Sequence, residues 1–422
     1  MRIVFYSSNS NVFDEKTFII SVMPQNAKSF SNFISSHPEH EFFCVTQKPA
    51  LFMPEQEAAL KNVIYLSQTT GTQDFAEQII KLKPDLAIAM TYWVEPYDWL
   101  TVSDSLIAQQ LNEAGIKTIC NSLECGLICF DKWRTHNELK QLGFEVPAAV
   151  FCDHDLYFCA GSNKEVLKNV YKESVLAQIK KLKLPLIIKD TTGLSSYGMT
   201  VANTYGEVTG YLNSKRNNSN RLIEEFITGR QFGLEIYGVQ GAYTVLPPFE
   251  FTVNQYGITS PKQSAKYGPG ELSEELKKMM LELARGLGLC GVAQVDLILD
   301  SEGRWHIIEI NPRLSGMTFS YAAACGLSVF EMIYRSCVQK KPLPELSSDV
   351  MSIKLPLITQ REMQELKKID GVYLLNQTND LAAKQEREKG FCECITVGLK
   401  ELPSELKQKL QGQENCHLPP SF

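Results

Sequence analysis

Short apolar runs alternate with amphipathic stretches through the first part of the chain, and that alternation sets the expectation for its fold. Ile3-Val-Phe-Tyr6, Phe42-Phe-Cys-Val45, Val63-Ile-Tyr-Leu66, Leu86-Ala-Ile-Ala-Met90 and Thr118-Ile-Cys120 are uncharged runs of strand length. Asp74 to Leu82 and Asp104 to Ala114 carry helical patterns between them. A β–α alternation of this kind predicts a parallel sheet covered on both faces, here over residues 1–122. No Gly-x-Gly-x-x-Gly follows the first strand, so a dinucleotide fold is not expected, and Ser7-Ser-Asn-Ser10 reads as a polar turn.

A period of two governs Val295 to Arg313. The segment reads as two strands joined at Glu302-Gly303, a two-residue hairpin signal. If Ser301 faces Arg304, Asp296 lies directly opposite Glu309, with Cβ atoms roughly 4.5–5.5 Å apart. Asn311 projects from the same face, while Val295, Leu297, Leu299, Ile308 and Ile310 fill the other. Two carboxylates held that close repel unless a cation lies between them, and hard oxygen ligands favour Mg²⁺.

Upstream, Asp131-Lys132 opens a helix that ends near Gly143 and Pro147. Lys189 closes the buried strand Leu186-Ile-Ile, where a charge needs a partner. Thr191-Thr-Gly-Leu-Ser-Ser-Tyr-Gly198 follows; its glycines let backbone approach a ligand, and its hydroxyls, Ser195 and Ser196 among them, can donate to phosphate oxygens. The segment reads as a flexible hairpin turn or as a mobile flap over a phosphate-bearing ligand. Beyond Lys341, Pro342, Pro344 and Ser347-Ser-Asp349 mark a boundary. Strands near Met351 to Leu355, Val372 to Leu375 and Glu393 to Val397, with a helix from Arg361 to Ile369, predict a small α+β appendage over 342–422.

Composition excludes more than it suggests. At 422 residues the chain is too long for one core. A net charge of −6 gives no electrostatic case for nucleic acid or an anionic membrane. The N-terminus turns polar after a short apolar run and does not read as a secretory signal, and no apolar stretch reaches the ~20 residues of a membrane span. A cytoplasmic enzyme is the expectation. The chain has 12 cysteines but no Cys-x-x-Cys pair, so they read as small apolar residues of a reducing compartment.

Glu309-Ile-Asn-Pro-Arg313, with Asp296 upstream, resembles the ATP-grasp superfamily. Asp131-Lys132, Pro185-Leu-Ile-Ile-Lys189 with the glycine-bearing flap, Leu222-Ile-Glu-Glu-Phe-Ile-Thr-Gly229 and Lys266-Tyr267 resemble further motifs of that family, in the same order. The likeness covers Asp131 to Gly316 and, more loosely, the whole chain. It implies an α/β pre-ATP-grasp unit, then a two-lobed ATP-grasp body with antiparallel sheets over 123–341, its nucleotide-binding lobe near 147–228. It implies ATP with Mg²⁺ or Mn²⁺, the metal held by Asp296, Glu309 and Asn311. Nucleotide contacts would come from Lys132, Lys189, Ser195, Ser196, Phe226, Ile227, Gln231 and Ile308, and adenine would meet Glu224 or Glu225. Many relatives carry Glu where Gln231 stands; the amide keeps an acceptor oxygen but lacks the charge. Lys266, in a Pro/Gly loop and with Lys262 as competitor, would reach the γ-phosphate. Arg313 would hold the reacting carboxylate or phosphoryl group, and Ser315 and Gly316 the acceptor's carboxylate.

The family's chemistry then implies a carboxylate–amine ligase. It would work through an acylphosphate and release ADP and phosphate, most like the amino-acid and dipeptide ligases with a carbamoyl-phosphate-synthetase-like core. A bicarbonate-activating carboxylase and a nucleotide-binding module without catalysis are the rival readings. The partners implied are a small carboxylate and a small amine, with no nucleic acid or membrane; a homodimer is left open.

Overall fold

Burial of both faces explains why the first apolar runs form strands. The computed structural model describes residues 1–8, 25–47, 60–67, 69–90, 100–162, 165–192, 199–251, 264–267, 272–346, 350–356, 359–366, 368–375, 391–399 and 404. The N-terminal unit runs β1 (Arg2–Ser7), α1 (Gln25–Ser36), β2 (Glu41–Gln47), β3 (Val63–Leu66), α2 (Thr72–Lys81), β4 (Leu86–Ala89), α3 (Leu100–Glu113) and β5 (Lys117–Ile119). Its sheet is wholly parallel, in the order β3-β2-β1-β4-β5, as the alternation predicts. Val4 and Tyr6 pack against Phe75 and Ile79 of α2 and Ile107 of α3. Ile3 and Phe5 point the other way, onto Phe30 and Phe33 of α1 and onto Phe330 of the body. The N-terminal unit and the body therefore share one core. α3 starts ahead of Asp104, with Thr101, Ser103, Asp104 and Ser105 all buried; polar residues in a buried first turn hide the helix from an apolar pattern.

Two helices lead into the body: α4 (Leu123–Phe130), capped by Ser122, and α5 (Lys132–Gln141), capped by Asp131, whose carboxylate accepts from Arg134 N. A small lobe follows: β6 (Ala149–Cys152), α6 (His154–Phe158), α7 (Val170–Ile179), β7 (Leu186–Asp190), β8 (Thr200–Ala202), α8 (Tyr205–Leu212) and β9 (Arg221–Glu225). Its sheet is antiparallel, ordered β6-β9-β7-β8, and α7 and α8 cover one face. The other face meets α5, where Trp133 stacks on Phe151.

The larger sheet has nine strands. β10 (Gly229–Val239), β11 (Ala242–Val245), β12 (Phe249–Phe251) and β13 (Ser264–Tyr267) precede α9 (Glu274–Gly286). β14 (Gly291–Asp300) and β15 (Trp305–Asn311) form the hairpin, followed by α10 (Thr318–Cys325) and α11 (Val329–Ile333), which runs on into a π-helical turn. The C-terminal elements are β16 (Val350–Pro356), α12 (Gln360–Leu366), β17 (Val372–Leu375) and β18 (Phe391–Val397). Pairing of β13 with β16 joins these last strands to the body's sheet, so the appendage extends it. Lys266 and Tyr267 lie in β13, between β12 and β16, and not in a loop. Their partners come from distant segments, which the neighbouring glycines and proline do not announce. No described helix is long and apolar enough to cross a membrane.

The hairpin differs from the expected one in two places that cancel. Asp300, not Ser301, opposes Arg304: Asp300 N donates to Arg304 O, and three residues turn between them. Gly303 takes a positive φ of 81°, and the Asp300 carboxylate accepts from the amides of Glu302 and Arg304, which fixes the longer turn. A bulge then inserts Ile308, so Leu297 pairs with Ile307 while Asp296 still pairs with Glu309. Ile307, not Ile308, joins the core; Ile308 is half-buried at the bulge.

Candidate active site

Period-two alternation divides the large sheet into two chemically distinct faces. Phe232, Leu234, Val295, Leu297, Ile307 and Ile310 pack beneath it against Leu276, Met280 and Leu283 of α9. On the opposite face, the register sets Gln231 beside Ile298, Gly233 beside Asp296 and Glu235 beside Gln294. Glu309 and Asn311 continue that face on β15, opposite Asp296 and Gln294.

The polar groups here are knitted together. Gln294 donates to the Asp296 carboxylate and accepts from Asn311 Nδ2 at 2.7 Å. Asn311 Oδ1 accepts from Arg313 Nη2 at 3.1 Å, and Arg313 Nη1 donates to Leu314 O at 3.0 Å. Lys132 Nζ, from the first turn of α5, lies 2.9 Å from Glu309 Oε1. Burial, and then the neighbouring Glu309, push the Asp296 carboxyl up to about 7. Glu309 goes the other way: against the upward pull of burial, Lys132 and Arg313 hold it below the usual carboxylate range. Two acids sharing a half-buried space with cations beside them are a hard-oxygen donor set, and Asn311 adds an amide oxygen. That set fits a divalent cation, which would spare Asp296 its proton. Among the described residues, no group of three or more His, Cys, Asp or Glu could hold one alone.

The small lobe supplies a second network. Lys189, with its strand buried around it, meets Glu224 at 2.6 Å, the partner that a charge in that position requires. His136, one turn along α5 from Lys132, reaches Glu224 Oε1 at 3.4 Å and stacks on Trp133. Burial raises the Glu224 carboxyl, but Lys189 and His136 outweigh it and bring it down to about 2. Glu225 is separate: its side chain turns to Lys183 N at 2.8 Å. Of the two glutamates, then, Glu224 lies on the face turned toward α5. Phe226 N donates to Pro185 O, and Phe226 and Ile227 are half-buried at the lobe junction.

Ser315 is not an open hydroxyl. Its Oγ donates to Glu235 Oε1 at 2.7 Å, whereas Gly316 next to it is exposed. Ser195, Ser196 and Lys262 lie outside the described residues, as does the side chain of Lys266. Reading the sequence missed Gln294, Glu235, Asn121 and His136. Gln294 and His136 carried a signal, one two residues from Asp296 in a strand and the other four from Lys132 in a helix.

Comparison with known proteins places the fold. Residues 129–317 match the model of the ATP-grasp domain. The D-alanine–D-alanine ligase of Buchnera aphidicola is 32% identical over 223 residues, spanning 49% of this chain and 68% of the relative. The L-amino acid ligase from Bacillus licheniformis superposes with a TM-score of 0.65 at 14% identity, over 97% of each chain. The ADP complex of N5-carboxyaminoimidazole ribonucleotide synthetase gives 0.65 at 14% identity, over 97% of this chain and 96% of that one. These two likenesses are of fold. The chain belongs to the ATP-grasp family. It is an ATP-grasp ligase, of the class that forms C–N bonds and releases ADP.

Proposed function

We propose that this enzyme is an ATP-dependent carboxylate–amine ligase that activates a small carboxylate, an amino acid by preference, as its acylphosphate. The observation that carries the reading is the facing pair Asp296 and Glu309, with Lys132 and Arg313 against it on one side of the sheet. Asp296, Glu309 and Asn311 would hold Mg²⁺, which when bound neutralises charge on the outer phosphates of ATP. Lys132, beside Glu309, would meet the same phosphates, and Lys189 with Glu224 would line the nucleotide lobe. The backbone near Phe226 and Ile227 offers an adenine edge beside Glu224. Gln231, on the site face near Ile298, can accept from a ribose hydroxyl, and Ile308 sits beside Glu309 to flank the base.

Arg313 serves the chemistry. A guanidinium holds a carboxylate or a transferring phosphoryl group bidentately, so it can steady the carboxylate oxygen that attacks the γ-phosphorus. An amine then attacks the acyl carbon and phosphate leaves. No protein nucleophile is required, and the work is positioning and charge neutralisation. The likeness to D-alanine–D-alanine ligase supports amino acids as substrates. The test is phosphate release from MgATP in the presence of pooled amino acids and small carboxylates. Stimulation by an amino-acid pool, with an amide product, is expected. Stimulation by bicarbonate alone would replace this reading with carboxylation.

A further inference from the structure

The turn that carries Arg313 leaves β15 at Asn311 and enters α10 at Thr318. Irregular backbone between a strand and a helix stays put only if its polar groups find partners. Two buried side chains from distant parts of the chain provide them here. Asn121, just past β5 in the N-terminal unit, donates through Nδ2 to Pro312 O at 2.9 Å and to Val292 O at 3.1 Å. Its Oδ1 accepts from Cys290 N at 2.8 Å, so both amide protons and the carbonyl are used. Glu235 grips the turn from the other side. It is 0% exposed and accepts from Ser315 Oγ at 2.7 Å, Thr318 Oγ1 at 2.5 Å and Tyr237 OH at 2.7 Å.

The two hydroxyls pass the constraint on to backbone. Thr318 Oγ1 accepts from Ser315 N at 2.9 Å, and Ser315 Oγ from Met317 N at 3.1 Å. The residue at the N-cap of α10, Met317, has no side-chain cap of its own, and the carboxylate from β10 organises that end instead. Asn121 therefore fixes the residue before Arg313, and Glu235 the second residue after it. Asn121 and Arg313 also line one cavity between the N-terminal unit and the body.

We propose that Asn121 and Glu235 are a pair of positioning residues that set the place of the Arg313 guanidinium in the cleft, resting on the proposed role of Arg313 at the reacting group. Neither touches the substrate. Their effect should run through Arg313, because a shift of about 1 Å at a group of that kind costs on the order of a hundredfold in rate. A merely structural role would weaken the fold without regard to what stands at position 313.

The experiment uses the full chain with Glu235→Gln, Asn121→Asp, Arg313→Lys and the double variants that combine each of the first two with Arg313→Lys. Initial rates of ADP formation are measured with MgATP and the amino-acid pool, and hydrogen exchange is followed over residues 312–318. Each single anchor variant is expected to lower kcat by about ten- to a hundredfold, with KM for ATP within about twofold of wild type. On the Arg313→Lys background the same changes should add less than about threefold. Full multiplication of the losses, or near-normal turnover in both anchor variants, overturns the proposal. If the wild-type enzyme forms no ADP with any pool, the ligase reading fails separately. Exchange then decides: unchanged protection of 312–318 in both anchor variants overturns the anchoring, and faster exchange there with the small-lobe strands unaltered upholds it.

Discussion

Asp296 and Glu309 face one another yet are driven in opposite directions, and the reason is what stands behind each. Lys132 lies against Glu309, so that acid keeps its charge; Asp296 has burial and its neighbour's charge to contend with and is held near 7. Glu309→Gln keeps the shape and removes the better-supported charge. It should leave unfolding unchanged within about 1 kcal/mol and cut ADP formation by at least about a hundredfold; near-normal turnover at saturating Mg²⁺ would take the hairpin out of the active site. Glu235 makes a cleaner pH probe, since it stands apart from the proposed metal ligands. Burial lifts its carboxyl from 4.5 to about 7 despite three hydroxyl donors. The folded state thus binds a proton more tightly than the unfolded one, so the chain loses stability as pH climbs from about 4.5 through 7. Between about pH 5 and pH 7 the wild type should lose on the order of 2 kcal/mol relative to Glu235→Gln, read by urea unfolding at both pH values. Equal slopes would show that the group does not titrate there. The acidic pair was legible in the sequence because a strand's period assigns faces without tertiary knowledge. Which of Glu224 and Glu225 turns away from α7 and α8 was not, since it depends on the side of β9 that those helices cover.

The hairpin shows why a motif can be read correctly through a wrong turn. A turn one residue longer than expected slid the register, and the bulge at Ile308 slid it back, leaving Asp296 opposite Glu309. Only the residue between was misassigned: the core takes Ile307. Lys266 is the opposite case, a strand residue hidden among loop-forming neighbours because its pairing with β12 and β16 is wholly non-local. Next to the acids, the lack of a side chain at Gly233 matters. A Cβ added there would lie 2.6 Å from Phe251 Cζ and 2.9 Å from Met317 Cε, on the side of the sheet that carries Asp296. Gly233→Ala should cost about 1–3 kcal/mol through overpacking. By contrast Gly210→Ala in α8, where an added Cβ meets nothing within 4 Å, should stabilise by about 0.5–1 kcal/mol. Thermal melting of the two variants side by side checks both signs, and a neutral Gly233→Ala would mean that Phe251 and Met317 yield freely.

Across the whole molecule, the proposed reaction fixes its products. Attack on the γ-phosphorus must give ADP and phosphate, and hydroxylamine offered in place of the amine should trap a hydroxamate of the true acid. AMP as the stoichiometric product, with no hydroxamate from any acid, would sink the mechanism. The parallel N-terminal sheet and the antiparallel body were legible from periodicity and motif order. The joining of the C-terminal strands to the body through β13, and the shared core of Phe5, Phe30 and Phe330, were not, because neither leaves a local trace. Helix α5 bears on one last matter. Within a single turn it sends Lys132 to Glu309 on the large sheet and His136 to Glu224 on the small one, while its first amide donates to Thr191 O. The gap between lobes is thereby gauged by the pitch of a helix that belongs to neither. A chimaera that grafts the segment from β6 to β9 of another ATP-grasp enzyme onto this body would inherit a mismatched gauge unless α5 travelled with it.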